Sequence, residues 1–314
     1  MSTVNAWRNR RFHPASFFFT GLTGLATGLI LAMLATLLAV IVFHGWECFS
    51  WRFIVSGTGK DVFDARTTGV FPMMVGTALR VLLMSLFVMP VGTITAVYLT
   101  EYARTTAWST RLIRSAVSNL AGVPSIVFGL FGLGFFIQFA GRGMDQVIRP
   151  GAAGAVWGRD CLLWASLTLA VMTLPVVIVA TEDALRSIPQ GLREASLALG
   201  ATQLQTVVRI VLPEAFPGIL TGAILGVGRA AGEVAPILFT GAVASMPDLP
   251  RALTDRFMDL GYHVFILSTQ GPDIEKTRPI LFATVMVLLL LTFALNAVAI
   301  LIRARLRARR RSPH

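Results

Sequence analysis

The residues with the clearest chemical potential are an arginine and a glutamate inside an apolar segment. Arg229 and Glu233 stand four residues apart within the apolar run 214–243, a spacing that places both on one face of a helix. An arginine at the centre of a membrane costs roughly 2.5–3.5 kcal/mol even on a lenient scale, so it needs a partner or a function. A planar guanidinium binds oxyanions such as phosphate through paired hydrogen bonds. The pair therefore predicts a site that binds an anion noncovalently within the membrane.

The same pair also has a purely structural interpretation, in which the two charges hold the helix bundle together. In the functional interpretation, the two residues line a path by which an anion crosses the membrane. Glu233 pairs with Arg229 while no anion occupies this path. Glu233 then accepts a hydrogen bond from the hydroxyl of hydrogen phosphate when the path is occupied. A fully deprotonated anion without such a donor would gain less.

Other polar residues lie in or at the ends of apolar runs. Ser125 follows Pro124, where we expect a kink, and its hydroxyl either faces the path or serves helix packing. Arg80 interrupts the second run, and we expect it to snorkel to the outer surface rather than to add positive potential to the path. Glu182 and Asp183 end the fourth run, and we interpret them as a solvated helix end.

A polar segment between two apolar runs, residues 194–213, is the second candidate site. The segments Ser187–Gln190 and Thr202–Gln205 each match a capping box, which predicts two short helices. Gly200 suits a left-handed helix end. Without further information, such helices would lie along the membrane surface.

Composition places the chain in a membrane, since hydrophobic residues make up 55% of its 314 residues and charged residues only 14%. Membrane topology and anionic lipid explain the formal net charge of +11 better than nucleic acid does, because no DNA-binding pattern accompanies it. The histidines lack metal-ligand spacing, so no metal site is predicted. Gly57–Lys60 departs from the phosphate-binding loop pattern, so no ATP site is predicted in this chain.

Six apolar runs are long enough to cross a bilayer as helices. Their predicted bounds are 17–43, 71–99, 115–140, 161–181, 214–243 and 279–302. The first run is too long for a signal peptide, and we interpret it as a retained anchor. Arginines cluster in the terminal tails 1–16 and 303–314, and arginine-rich segments remain in the cytoplasm. We expect an all-α membrane protein with six transmembrane helices and with its N- and C-termini in the cytoplasm.

Cys48 and Cys161 are the only cysteines. Both lie near predicted outer ends of spans, where a disulfide is chemically possible in an oxidising compartment. We interpret them as two unrelated thiols.

The polar segment resembles the EAA loop of ABC-transporter permeases. The matching residues are Glu194-Ala195-Ser196, Gly200 and Ile210-Val211-Leu212-Pro213, with Ser196 where alanine is usual. The resemblance implies a type-1 ABC importer permease fold, with a permease domain over 71–302 and a cytoplasmic coupling loop at about 186–213.

The same resemblance implies that Glu194, Ala195, Ser196 and Gly200 are contact or hinge positions against an ATPase subunit. The implied permease is not itself an enzyme and holds no cofactor. Its partner ATPase subunits would bind ATP and Mg.

Other segments resemble the permeases of the high-affinity phosphate transporter, and in particular its A-type subunit. They are Gly122–Gly132, Thr181–Leu185, Gly228–Glu233, Ala235–Thr240 and Leu295–Asn296. The resemblance implies that Arg229 and Glu233 lie on the phosphate path, where Ser125 could add a hydroxyl. It implies a bacterial inner-membrane location and three kinds of partner: a homologous C-type permease, an ATPase dimer and a periplasmic phosphate-binding protein. The first alternative is a permease for sulfate or molybdate. A passive anion channel or a membrane scaffold is a weaker alternative.

Overall fold

The computed structural model describes residues 14–59, 61–64, 67–104, 106–148, 150, 154–246 and 248–311. In these ranges the chain is helical, and its only strand-like pairing is one isolated bridge between Ala242 and Phe257. Six helices are long and apolar enough to cross a membrane, as predicted. Helices suit that position because lipid offers no hydrogen-bond partners to an open strand edge. Residues 1–13 and 312–314 of the predicted tails lie outside these ranges.

The helices are, in chain order, α1 (Pro14–Gly45), α2 (Trp51–Val55), α3 (Phe71–Val97), α4 (Trp108–Ala121), α5 (Ser125–Phe131), α6 (Arg142–Ile148), α7 (Leu162–Arg186), α8 (Gln190–Ala198), α9 (Gln203–Thr206), α10 (Leu212–Gly232), α11 (Leu260–Gln270) and α12 (Ile274–Arg311). Wider π-helical turns extend some of them. Tyr98–Tyr102 continues α3, Gly132–Gly141 joins α5 to α6, and Val207–Val211 joins α9 to α10.

Helix α7 forms the centre of the bundle. It packs against both α3 and α10, whereas α1 packs on α12 at the periphery. In its most apolar stretch, 67% of α7 is buried inside the chain, compared with 0% of α1. Threonines on α7 remain compatible with this burial because their hydroxyls donate to carbonyls one turn earlier, as Thr173 does to Leu169.

The third span begins later than the sequence predicted. The predicted span 115–140 starts inside α4, which is a separate helix, and the spanning helix runs over Ser125–Ile148. The expected kink at Pro124 is a complete break, because proline disfavours the helical conformation of the preceding residue. Arg111 and Arg114 on α4 also suit a helix at the end of the bundle better than one in lipid.

Both cysteines are free thiols, as interpreted. Cys161 is fully buried and Cys48 is partly buried. Desolvation by burial raises the pKa of the Cys48 thiol, so this group is neutral at physiological pH.

Candidate functional site

The fifth span ends inside the apolar run that was predicted to form it. Helix α10 stops at Gly232, Glu233 is extended, and a short 3₁₀ turn follows at Ile237–Phe239. The predicted span 214–243 is therefore wrong at its C-terminal end. The physical reason is Pro236, whose ring would clash with the carbonyl of Gly232 in a continued helix. The break places a helix C-terminus inside an apolar run.

Arg229 and Glu233 lie at this break. The Nε of Arg229 is 3.4 Å from Oε1 of Glu233, and the two side chains are 45% and 22% exposed. Glu233 is the C-cap residue directly after α10, and it still forms the contact expected of residues four apart on one helix face. The terminal guanidinium nitrogens of Arg229 have no partner among the described residues. They are therefore free to bind an anion.

Ser125 is near this region but does not contact the pair. It is the first residue of α5 and is half-buried. One turn later, Gly129 packs so closely against Ala235 and Pro236 that a Cβ there would lie only 3.0 Å from the carbonyl oxygen of Ala235. Ser125 therefore begins a helix that packs against the segment following Glu233, and its role in the path stays a prediction.

Asn296 is a neighbour that sequence reasoning used only as a mark of family similarity. Its side chain on α12 lies against Gly228, the residue before Arg229. Its amide oxygen is buried without a hydrogen-bond partner in the described part of the chain. A polar residue in an otherwise apolar helix was the available signal for it.

Arg80 is not at the outer surface, and the snorkelling expectation is wrong. Its side chain is fully buried and pairs with Asp259, with Nη2 at 2.8 Å from Oδ2. Nη1 donates to the carbonyl of Ala230 at 3.0 Å, and longer contacts of 3.4 Å reach the carbonyls of Ala231 and Glu233. Burial is tolerated because the charge is paired and both terminal nitrogens are hydrogen-bonded, whereas Nε is buried without a partner among the described residues. Removing one member of such a pair costs about 3–5 kcal/mol.

Asp259 connects Arg80 to the start of α11. As the N-cap of that helix it accepts a hydrogen bond from the backbone of Tyr262, and it also accepts the hydroxyl hydrogen of Thr77 at 2.9 Å. The buried His263 lies one turn further along α11, and burial lowers its pKa to about 4. His263 is therefore neutral at physiological pH and adds no third charge to the pair.

Glu182 is buried, so the interpretation of a solvated helix end is wrong for it. Its Oε2 accepts hydrogen bonds from Arg114 at 2.8 Å and from Arg186 at 3.0 Å. Asp183 is exposed, as expected. The sequence did not indicate that Arg114, on α4, packs against α7. The ion pair with Arg114 attaches α4 to the end of α7.

A cavity of about 530 Å³ lies between Arg114, Glu182 and Leu225. Leu225 is one turn before Arg229 on α10, on the side nearer the polar segment. Apart from its charged end, the lining is mostly apolar, with Val117, Val179 and Pro175 among its members. The cavity adjoins the helix that carries Arg229.

The polar segment forms two short helices, as predicted. Gly200 separates α8 from α9 with a φ of +85°, the left-handed conformation that favours glycine. Thr202–Gln205 forms the predicted capping box. The box predicted at Ser187–Gln190 is absent, because α8 begins after Pro189 and the Ser187 hydroxyl donates to Ala184 instead.

The candidate coupling residues differ in exposure. Glu194, Ala195 and Gly200 are exposed, and Glu194 forms no hydrogen bond or ion pair with any described residue. Ser196 is buried, and its hydroxyl lies 2.9 Å from that of Thr206. The serine that departs from the EAA pattern thus ties α8 to α9 rather than facing outward. The outward face also exposes Leu199 and Leu204, which suits contact with another protein.

Arg193 fastens α8 to the bundle. Its Nη2 lies 2.8 Å from Oε1 of Glu101, and its Nε lies 3.2 Å from the same oxygen. It also donates to the carbonyls of Leu185 and Ile188 at the end of α7, at 2.9 and 2.8 Å. Glu101 lies in the π-helical end of α3. One side chain therefore links the exposed segment to two spanning helices.

Comparison with known proteins identifies a family and several relatives. Residues 88–312 match the family described as "binding-protein-dependent transport system inner membrane component". YqgI of Bacillus subtilis (strain 168), a probable ABC transporter permease protein, is 34% identical over 270 residues, which are 82% of this chain and 85% of that protein. The phosphate transport system permease protein PstA 1 of Mycobacterium tuberculosis (strain ATCC 25618 / H37Rv) is 36% identical over 249 residues, which are 74% of this chain and 72% of that protein.

A solved structure shares the fold. A chain of a bacterial alginate ABC transporter, in complex with an alginate pentasaccharide-bound periplasmic protein, superposes with a TM-score of 0.64 at 13% identity, covering 91% of this chain and 93% of that one. At such low identity this similarity concerns architecture alone. The chain therefore belongs to the inner-membrane components of binding-protein-dependent transport systems, as a multi-pass permease of the bacterial inner membrane with the type-1 ABC fold.

Proposed function

We propose that this chain is the A-type permease subunit of an ATP-driven phosphate importer and forms half of its translocation path. The observation that carries the proposal is the half-exposed Arg229 guanidinium at the break of the fifth span, with Glu233 beside it. The similarity to PstA proteins, which are phosphate transport permeases, supports phosphate as the substrate.

The geometry suits transient binding of hydrogen phosphate. The Arg229–Glu233 contact at 3.4 Å is long for a charged pair, so an anion displaces it at little cost. The free terminal nitrogens then bind two phosphate oxygens, and the released Glu233 carboxylate accepts the phosphate hydroxyl. When the anion leaves, the ion pair re-forms. Ser125 adds a hydroxyl if α5 moves toward the pair.

Energy enters through the exposed face of α8. In this proposal, Glu194, Ala195 and Gly200 contact an ATPase subunit, which binds the ATP and Mg that this chain does not. Closure of the ATPase dimer moves α8, opens the bundle outward and exposes Arg229 to phosphate delivered by a periplasmic binding protein. A homologous C-type permease forms the other half of the path. Both chain termini lie in the cytoplasm.

Charge reversal at Arg193 should weaken this coupling. Arg193→Glu places a second carboxylate beside that of Glu101, so the attraction becomes a repulsion. Interaction energies between residues of one charged network are about 0.5–3 kcal/mol. We expect uptake to fall by roughly tenfold while ATP hydrolysis by the assembled complex continues. The swapped double variant Arg193→Glu/Glu101→Arg should recover part of the uptake, because it restores the attraction. Equal uptake in the single variant and the wild type would contradict the role of Arg193.

The substrate is tested by uptake in a strain that lacks its own subunit of this type. Expression of this chain with its partners should restore uptake of radiolabelled phosphate, and excess sulfate or molybdate should not compete. Restored uptake of sulfate or molybdate without phosphate uptake would refute phosphate as the substrate. Uptake that continues without an ATPase subunit would indicate a passive channel.

A further inference from the structure

The backbone carbonyls at the C-terminal end of α10 are hydrogen-bonded by Arg80. The last carbonyls of a helix have no partners within it, and a membrane offers no water to bind them. Arg80, on α3, donates from one guanidinium to the carbonyls of Ala230, Ala231 and Glu233. Among the described residues, only that of Ala230 also accepts from the backbone, through the N–H of Glu233. A cation is also favoured at a helix C-terminus by the helix dipole. Arg80 thus caps the broken helix from a neighbouring one.

The cap is held in place by residues of two helices, α3 and the start of α11. Asp259 binds Arg80 at 2.8 Å and begins α11, while Thr77, on α3, donates to Asp259 and accepts a hydrogen bond from the backbone of Leu260 at 3.0 Å. The side chains of Arg80 and Asp259 are both 0% exposed. Gly76 permits this approach, because any Cβ there would collide with the carbonyl oxygen of Met258.

The bonded carbonyls belong to the backbone segment that joins Arg229 to Glu233 and includes Glu233 itself. Ala230 directly follows Arg229, and the backbone of Glu233 is the last of the three contacts. Arg80 is too buried to meet an anion itself. It therefore acts on the substrate only through the backbone that carries Arg229 and Glu233.

From this geometry we propose that Arg80, held by Asp259, is a positioning residue that sets the spacing of Arg229 and Glu233 and thereby the affinity of the path for its anion. The inference rests on the proposed function for the identity of the anion. It does not depend on it for the geometry.

Arg80→Lys tests whether the planar guanidinium, with its several donors, is required at this position. Lysine keeps the charge opposite Asp259 but cannot reach several carbonyls with a rigid planar group. We expect the complex to assemble, and the phosphate concentration for half-maximal uptake to rise on the order of 10- to 100-fold, as misplacement of a binding group does. An unchanged half-maximal concentration would overturn the proposal.

The double variant Arg80→Leu/Asp259→Asn separates positioning from folding. It removes both charges, so no unpaired buried ion remains, and asparagine keeps an acceptor for the backbone of Tyr262 and a partner for Thr77. If Arg80 only stabilised the fold, an assembled double variant would transport normally. We expect assembly with weakened transport, because the carbonyls of α10 remain uncapped.

A thiol probe at position 229 supplies a readout that needs no substrate. Arg229→Cys is introduced with Cys48→Ser and Cys161→Ala, and the rate of modification by a charged thiol reagent is measured with and without Arg80→Lys. We expect the rate at position 229 to change and the rate at the exposed control Val147→Cys to stay constant. An unchanged rate at position 229 would refute the positioning role. If the uptake assay shows transport of sulfate instead of phosphate and the modification rate at position 229 still changes, only the proposed substrate is refuted.

Discussion

Replacement of Arg229 by alanine is expected to abolish phosphate uptake while the transporter stays assembled. The side chain is 45% exposed, and its one polar contact with the described part of the chain is the 3.4 Å approach to Glu233, so the fold loses little. The proposed complex loses two charge-assisted hydrogen bonds to phosphate, each worth about 1.5–3 kcal/mol, which corresponds to a loss of at least about 100-fold. Radiolabelled uptake, together with copurification of the partner subunits, measures both effects.

Arg142→Ala is the matched control for this variant. Arg142 is an exposed arginine on α6 that has no part in the proposed path. Uptake should be normal in that variant. Normal uptake in Arg229→Ala would remove Arg229 from the path.

Charge reversal at Glu194 is expected to remove the ATPase from the complex. Glu194 is exposed on α8 and has no ion pair within the described residues, so Glu194→Arg should leave the fold intact. At a docking surface, an arginine facing groups selected for a carboxylate costs several kcal/mol. We expect the ATPase to be lost on copurification and uptake to cease.

Glu214→Arg controls for a change of charge near the same segment, because Glu214 is exposed at the start of α10 and outside the EAA pattern. The ATPase should still copurify with that variant. Copurification and uptake that survive Glu194→Arg would contradict docking through α8.

Local patterns predicted much of this chain. The apolar runs predicted six spanning helices, and Gly200 and Thr202 predicted the turn and cap of the polar segment because these features depend on neighbouring residues alone. Arg229 and Glu233 were identified because a charge in an apolar run is costly wherever it packs.

The failures concern contacts between distant segments. The buried state of Arg80 depends on Asp259, which lies far along the chain in a loop that hydropathy predicts to be outside the membrane. Glu182 was assigned to solvent because its partner Arg114 belongs to α4, a helix that hydropathy merged with the third span. Hydropathy also extended the fifth span past Gly232, because it is blind to the missing N–H and the ring of Pro236.

The central claim is that an anion passes the Arg229 guanidinium inside the membrane. A structure of the assembled transporter trapped with phosphate tests this most directly. We predict phosphate oxygens within hydrogen-bond distance of the terminal nitrogens of Arg229 in at least one state, with the Arg229–Glu233 contact broken. An Arg229 side chain sealed among apolar neighbours and turned away from any conduit in every state would contradict the claim.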